Sequence, residues 1–503
     1  MDSSNGVFRR PVQAVAALGE AALDVHRFLD KRVLVTGDSF LLTHNGLHCL
    51  GYSIRLTSKI CRNISVALPG DTGSLADQVE SITKAATLGA PISVSLDEPD
   101  PSDFDAILSI ASHPFPHHRA TTINSNGWMA RIGSRAESLI GPTNDYNPLG
   151  ALAAASLACS EVFKRLISLK PDRGQLIDGL TFSVFDYSSG GTDSGPRLPR
   201  QLEMDAAMVG LGAIGSASAS LIADLPMAGR LRVIDPEVFE TVNLSTCLPI
   251  GPRELGTPKA TFVKDLLSPG LEVEVIQRRV EDTIDQLGGE HSIPSIFLNG
   301  VDSVGARIAV QDLWPDTVID GAMGGPTIAQ VSVHPWGTDV ACLKCLFREG
   351  GAEPIEVVQQ RSTGLSMVRL SEVNSLVNEE DVLLAPETRR TWLKARVGKP
   401  VCSVIEEGVA DEMSMQRQRA EFRPAVPFVA TMSATFVVGE LVRHLMGLST
   451  PLEPRFQMDL LQGPSRGEFF PQERRRDCEC VARQRNIDRF RRQRHSSFER
   501  GQS

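Results

Sequence analysis

Apolar positions along this chain gather into runs with strand or helix spacing. Residues 1 to about 30 read as a helical lead-in. Between Ile54 and Leu96, the apolar run IRLTSKICRNISVALP, the helical QVESITKAATLG and the short PISVSL predict strand, helix and strand. That order favours a parallel α/β layout. FDAILSIAS and TTINSNGWMARIG follow, then the helix NPLGALAAASLACSEVFKRLI. Residues 186–200 are rich in Gly, Ser and Pro and read as a linker.

A second α/β unit begins near Met204. It runs through DAAMVGLGAIGSASASLIADL, RLRVID, a helix around Pro258–Leu267, LEVEVIQ, SIFLNGVDS and TVIDGAM, and closes with the helix PFVATMSATFVVGELVRHLMG. Two features suggest that the halves are copies. Each closing helix carries a Glu thirteen residues after a Pro, Pro148 to Glu161 and Pro427 to Glu440. Each half also has a T-x-I-[ND] segment upstream, at Ile123 and Ile319. From Ile to Pro is 25 residues in the first half and 108 in the second, so the second carries about 83 extra. The expected organisation is a first α/β unit over 1–185, a linker over 186–203, a second unit over 204–450 with an insertion at 335–425, and a C-terminal segment over 451–503.

The 503 residues leave room for about three domains at ~150 residues each. With 42% apolar and 22% charged residues the chain can build large cores, and global disorder is excluded. The charge, 51 − 61 = −10, argues against nonspecific DNA binding as the main task. Residues 471–503 run the other way, with ten Arg against five acidic residues, and they read as a solvated helix. The most apolar run, Gly150 to Cys159, is shorter than the ~18 residues that cross a bilayer. With no apolar signal segment at the start, a cytoplasmic protein without a membrane partner is expected. Nine unevenly clustered cysteines fit thiols, metal ligands or a nucleophile better than a disulfide framework.

The chemistry concentrates in the second half. Gly210, Gly212 and Gly215 form G-x-G-x-x-G between an apolar strand and a helix of small residues. Such glycines permit a tight turn and bring backbone N–H groups and a helix N-terminus to phosphate. Asp235 ends the next strand, where an acid accepts hydrogen bonds from ribose hydroxyls. Alone, these residues fit ATP, NAD or FAD. Asn243-Leu244, then Lys259-Ala260, then Asp302 after SIFLNGV narrow the choice. Lys259 opens a predicted helix and is suited to the phosphates of ATP. Asn243 is suited to polarise an α-phosphate or orient an incoming carboxylate. Asp302 stands where ligands bind open α/β sheets and is suited to hold magnesium. The pairs Cys342/Cys345 and Cys478/Cys480 offer four thiolates, a donor set for a closed tetrahedral zinc.

The joint order resembles the ubiquitin-activating-enzyme superfamily, including the ThiF-type adenylyltransferases that activate sulfur carriers. The resemblance covers Met204 to about Gly447 well and the first half weakly. It implies two Rossmann-like adenylation-type units in one α/β chain, the first degenerate and lacking any G-x-G-x-x-G, with a zinc-tied C-terminal segment. It implies that Gly210, Gly212 and Gly215 cradle ATP, that Asp235 binds ribose, that Asn243 and Lys259 meet phosphates, and that Asp302 serves the metal. Its expected partners are a ubiquitin-like protein and a ubiquitin-conjugating-type enzyme, and it leaves a homodimer open. Bacterial ubiquitin-like systems linked to phage defence use similar single-chain arrangements. Two departures stand out. The Arg-Gln pair usual after Asn-Leu is Thr246-Cys247 here, and the second cysteine pair is C-x-C rather than C-x-x-C.

By its position between C-x-x-C and the closing helix, Cys402 resembles the family's nucleophilic cysteine. Lys399 favours its thiolate, while Glu406 and Glu407 oppose it. Cys49, Cys61 and Cys159 lie in apolar stretches and read as core. The leading function is activation of a ubiquitin-like protein's terminal carboxylate with a thioester on Cys402. Adenylation without a thioester, an NAD-dependent oxidoreductase and a non-catalytic scaffold are the competing readings.

Overall fold

The first sheet contains β1 (Arg32–Gly37), β2 (Asn63–Ala67), β3 (Ser93–Ser95), β4 (Ala106–Ile110), β5 (Ala120–Asn126), β6 (Met129–Gly133) and β7 (Gly179–Ser183). Its order is β3-β2-β1-β4-β5-β6-β7, parallel through β5 and antiparallel beyond. The second contains β8 (Leu202–Val209), β9 (Met227–Ile234), β10 (Leu271–Ile276), β11 (Ile296–Asn299), β12 (Thr317–Met323), β13 (Ile328–Pro335), β14 (Arg455–Asp459) and β15 (Glu468–Phe470). Its order, β10-β9-β8-β11-β12-β13-β14-β15, repeats the first strand for strand and adds one at the edge. It too is parallel through its fifth strand and antiparallel beyond. The two T-x-I-[ND] segments fall on equivalent strands, β5 and β12.

This computed structural model describes residues 7–18, 25–133, 145–167, 169, 174–267, 269–283, 293–347, 355–372, 375–401, 403–405, 407–408, 426–448 and 454–501. Residues 1–347 with 424–503 form one unit and residues 348–423 another. Six helices position the chemistry of the larger unit: α1 (His44–Ile60), α2 (Pro148–Leu166), α3 (Ala213–Asp224), α4 (Lys259–Leu266), α5 (Val304–Asp312) and α6 (Pro427–Leu445). α1 packs on α2, α3 packs on α6, and α2 and α6 pack on each other. One continuous apolar core therefore runs through both halves, and Cys49, Cys61 and Cys159 are part of it. Among the described residues α6 alone is long and apolar enough to cross a membrane, and 89% of that stretch is buried inside the protein.

The strand expected over IRLTSKI is instead the end of α1, and only Asn63–Ala67 is extended. Ile54-Arg55-Leu56-Thr57 alternates apolar and polar as a strand does, while the helix-spaced positions Leu47, Leu50 and Ile54 lie mostly upstream of the run. The helix begins ten residues earlier, where Thr43 Oγ1 accepts the Gly46 N–H at 3.0 Å. The C-terminal segment adds β14 and β15 to the second sheet, beyond the zinc-ligating role expected of it.

The smaller unit is helical, with Ile355–Thr363, Met367–Ser371, Glu379–Leu384 and Glu387–Lys394. Leu365, Leu370, Leu393 and Val401 contribute to its own small core. Cys402 lies outside the described residues. Lys399 is paired with Glu407 at 2.7 Å, and Arg396 holds the same carboxylate at 2.8 Å.

Candidate nucleotide site and cysteine cluster

β8 and α3 meet at the glycine-rich turn, at the C-terminal edge of the second sheet. Gly210 has φ +80°, a left-handed conformation that favours glycine. A Cβ on Gly215 would stand 2.1 Å from the Gly210 carbonyl oxygen, so the turn closes only with glycine there. Gly212 faces open space, with nothing within 4 Å of a Cβ built on it. Gly300, just past β11, sits against the same turn, and its N–H donates to the Val209 carbonyl at 2.8 Å.

Asp235 supports this turn from the end of β9. Its Oδ2 accepts the Leu211 N–H at 2.7 Å and its Oδ1 the Glu237 N–H at 2.8 Å. Burial raises its pKa, opposed by the Lys259 charge and those two N–H groups. Lys259 opens α4, and its own N–H donates to the Glu237 carbonyl at 3.0 Å. Its ammonium, only 4% exposed, pairs with the Glu237 carboxylate at 2.5 Å. Burial works to lower the Lys259 pKa, but the Glu237 hydrogen bond and the Asp235 and Glu237 charges carry it upward. Glu237 was not singled out in the sequence, although it stands two residues after Asp235.

Asn243 lies in a 3-10 turn, where its Oδ1 accepts the Glu240 N–H at 2.8 Å. Asp302 follows β11 and is exposed. It has no hydrogen-bond or ion-pair partner among the described residues. The next residue, Ser303, caps α5 by accepting the Ala306 N–H at 3.2 Å. The edge thus gathers the glycine turn after β8, Asp235 at the end of β9, the Lys259–Glu237 ion pair and an unengaged carboxylate after β11. That donor set fits a magnesium nucleotide, with backbone N–H groups for phosphate and Asp302 for the metal.

Arg307, five residues after Asp302, points elsewhere. Its Nε donates to both oxygens of the buried Asp320, at 3.0 and 3.3 Å, and Asn299 donates to the same carboxylate at 2.5 Å. Burial outweighs these partners and pushes Asp320 up to about 6.

Thr246 and Cys247 are both buried. Beside them, α1 of the first half contributes two cations. Lys59 Nζ donates to the Ile250 carbonyl at 2.5 Å and Arg55 to the Pro249 carbonyl at 3.3 Å. Burial pushes Lys59 down to about 7, opposed by Cys247. Burial likewise pushes the Cys247 thiol up. Sequence reasoning missed Lys59, since no local pattern announces a contact spanning 191 residues.

The equivalent turn of the first half is filled with protein. Asp38 follows β1 and caps the 3-10 turn Ser39–Leu42 through the Phe40 N–H at 2.8 Å, and it accepts the Ser112 N–H at 2.9 Å. Leu41 is fully buried there.

The four cysteines converge although 135 residues separate Cys345 from Cys480. All four Sγ atoms lie within 4.8 Å of one another, with neighbours at 3.5, 3.7 and 3.8 Å. Tetrahedral zinc with Zn–S near 2.3 Å sets sulfurs about 3.8 Å apart, so the cluster fits that ion. Cys342 and Cys478 each cap a short helix, Leu343–Leu346 and Glu479–Ala482. The C-x-C spacing therefore works as Cys478 at the cap and Cys480 in the first turn. Lys344 bridges the two helices by pairing with Glu479 at 2.7 Å.

A family described as the ThiF family matches residues 197–481, and the BilD N-terminal domain matches residues 50–176. "Uncharacterized protein y4jF" of Sinorhizobium fredii is 23% identical over 484 residues, covering 88% of each chain. Among solved structures, E. coli MccB with MccA-N7isoASN is 14% identical, with a TM-score of 0.36 over 55% of this chain and 67% of that one. PaaA is 15% identical, with a TM-score of 0.31 over 54% of this chain and 73% of that one. Because the ThiF match spans more than half of the 503 residues and takes in both the glycine turn and the cysteine cluster, the chain belongs to the ThiF family and carries its adenylyltransferase fold.

Proposed function

We propose that this protein activates the C-terminal carboxylate of a ubiquitin-like protein with ATP, carries it as a thioester on Cys402 and passes it to a conjugating-type enzyme. The observation that carries the first step is the gathering of Gly210–Gly215, Asp235, Lys259 and Asp302 at one sheet edge. A carboxylate oxygen attacks the α-phosphorus of ATP, the bond to the β-phosphate oxygen breaks, and pyrophosphate leaves. The backbone N–H groups of the glycine turn bind phosphate, and Lys259 offsets negative charge there. Asp302 would hold magnesium, which would neutralise charge on the phosphates. The thiolate of Cys402 then attacks the acyl carbon and AMP leaves, which preserves acyl-transfer potential.

A second reading ends at the acyl-adenylate, for a sulfur carrier or a peptide. Family membership supports both equally. ATP–pyrophosphate exchange with the cognate carboxylate partner tests the shared step. Asp302→Ala should lower exchange at least about a hundredfold, the scale of losing one transition-state charge stabiliser. Wild-type exchange in that variant removes Asp302 from the mechanism.

A further inference from the structure

A cavity of about 530 Å³ lies between the halves, away from the nucleotide turn. Its walls include Gly127 after β5, residues 145–147 before α2, the strap 195–200 and residues 224–226 at the end of α3. The glycine turn sits at the N-terminal end of α3 and the cavity at its C-terminal end. Twelve helical residues at 1.5 Å each separate them by about 18 Å.

The strap is fixed to the first half. Trp128 donates its backbone N–H to the Ser194 carbonyl at 2.9 Å and its indole N–H to the Pro196 carbonyl at 2.8 Å. Gly127, at φ +55°, comes so close that a Cβ would stand 2.4 Å from the Ser194 oxygen. From this anchor Arg197 and Arg200 reach the cavity wall.

The acidic groups of the wall are already engaged. Asp145 pairs with Arg197 at 2.9 Å. Asp224 accepts the Tyr52 hydroxyl and faces His48 Nδ1 at 3.4 Å. The Tyr146 hydroxyl donates to the Asp224 carbonyl at 2.7 Å. Two donors are left over. Arg200 has no ion pair among the described residues. Asn147 is 1% exposed, and its Nδ2 has no acceptor. Its Oδ1 is used, capping α2 through the Leu149 N–H at 3.0 Å. A buried amide donor without a partner is costly, and a helix N-terminus beside it favours negative charge.

We propose that this cavity is a second ligand site, which binds an oxyanion, the carboxylate of a peptide tail or a phosphate, through Arg200 and the Asn147 amide. The site is independent of the adenylation reading, since it shares no residue with the nucleotide turn.

The test is calorimetry on the full chain with a non-hydrolysable ATP analogue and magnesium saturating the nucleotide turn. One arm titrates inorganic phosphate, and another titrates triglycine with its amide as control. Binding in either arm is expected, with the amide inert if the carboxylate is the ligand. Asn147→Asp keeps the helix cap but replaces the donor by an acceptor, and Arg200→Gln removes an exposed charge. Each should weaken binding at least about tenfold, the scale of one charge-assisted hydrogen bond. Should Asn147→Asp not fold, Arg200→Gln decides alone. Absence of binding in both arms, or undiminished binding in the variants, overturns the site.

Discussion

The carboxylate of Asp235 holds the backbone of Leu211, accepting its N–H at 2.7 Å inside the glycine turn. The residue expected to meet ribose therefore also fixes the loop that meets phosphate. Asp235→Asn turns one acceptor into a donor facing a backbone N–H. A lost hydrogen bond to a charged group is worth about 1.5–3 kcal/mol. ATP affinity should fall by ten- to a hundredfold, on the order given by that range, read by calorimetry or as KM for ATP in exchange. Unchanged affinity would mean that the turn holds its shape without Asp235.

Lys59 gives a pH dependence with a definite sign. Burial pushes its pKa in the folded chain down to about 7 from the ordinary lysine value of 10.5. Between those values the unfolded chain binds the extra proton, so stability rises with pH across that window. The slope approaches about 1.4 kcal/mol per pH unit where the difference is a full proton. Urea unfolding at pH 7, 8 and 9 should show this rise in the wild type, and Lys59→Met should lack it. Parallel profiles would assign the slope to other groups.

The cysteine cluster predicts one zinc per chain by elemental analysis. Cys478→Ser with Cys480→Ser should abolish it and lower the melting temperature, because the ion ties Cys342 and Cys345 to the C-terminal segment. Stoichiometric zinc in that double variant would assign the metal elsewhere.

Thioester relay separates from adenylation at Cys402. Cys402→Ala should retain pyrophosphate exchange yet form no thiol-sensitive adduct with the ubiquitin-like partner on a non-reducing gel. An adduct in the variant excludes Cys402 as nucleophile. Exchange without an adduct in the wild type favours the reading that stops at the adenylate.

Glycines with hard steric demands were the most legible part of the sequence, because Gly210 and Gly215 tolerate so few alternatives. The repeat showed through Glu161 and Glu440, which are buried at matching places and each paired with a cation three residues on, Lys164 and Arg443. The clustering of Cys342, Cys345, Cys478 and Cys480 followed from residue type alone. Contacts between the halves were not legible. Tyr52 meets Asp224 across 172 residues, and Lys59 meets Ile250 across 191. Such pairs depend on how two helix layers stack, which no local pattern encodes. The helix at IRLTSKI reads as a strand because Ile54-Arg55-Leu56-Thr57 alternates apolar and polar over its first four residues.

The packing of α2 against α6 has a consequence for assembly. When two separate chains form such a pair, mass action governs the association and dilution dissolves it. Here the partner surfaces share one polypeptide, so their encounter is intramolecular and set by an effective concentration. Pairing of the halves should then be indifferent to protein concentration. A second copy of the chain would have to dock on some other face, because this one is already covered from within.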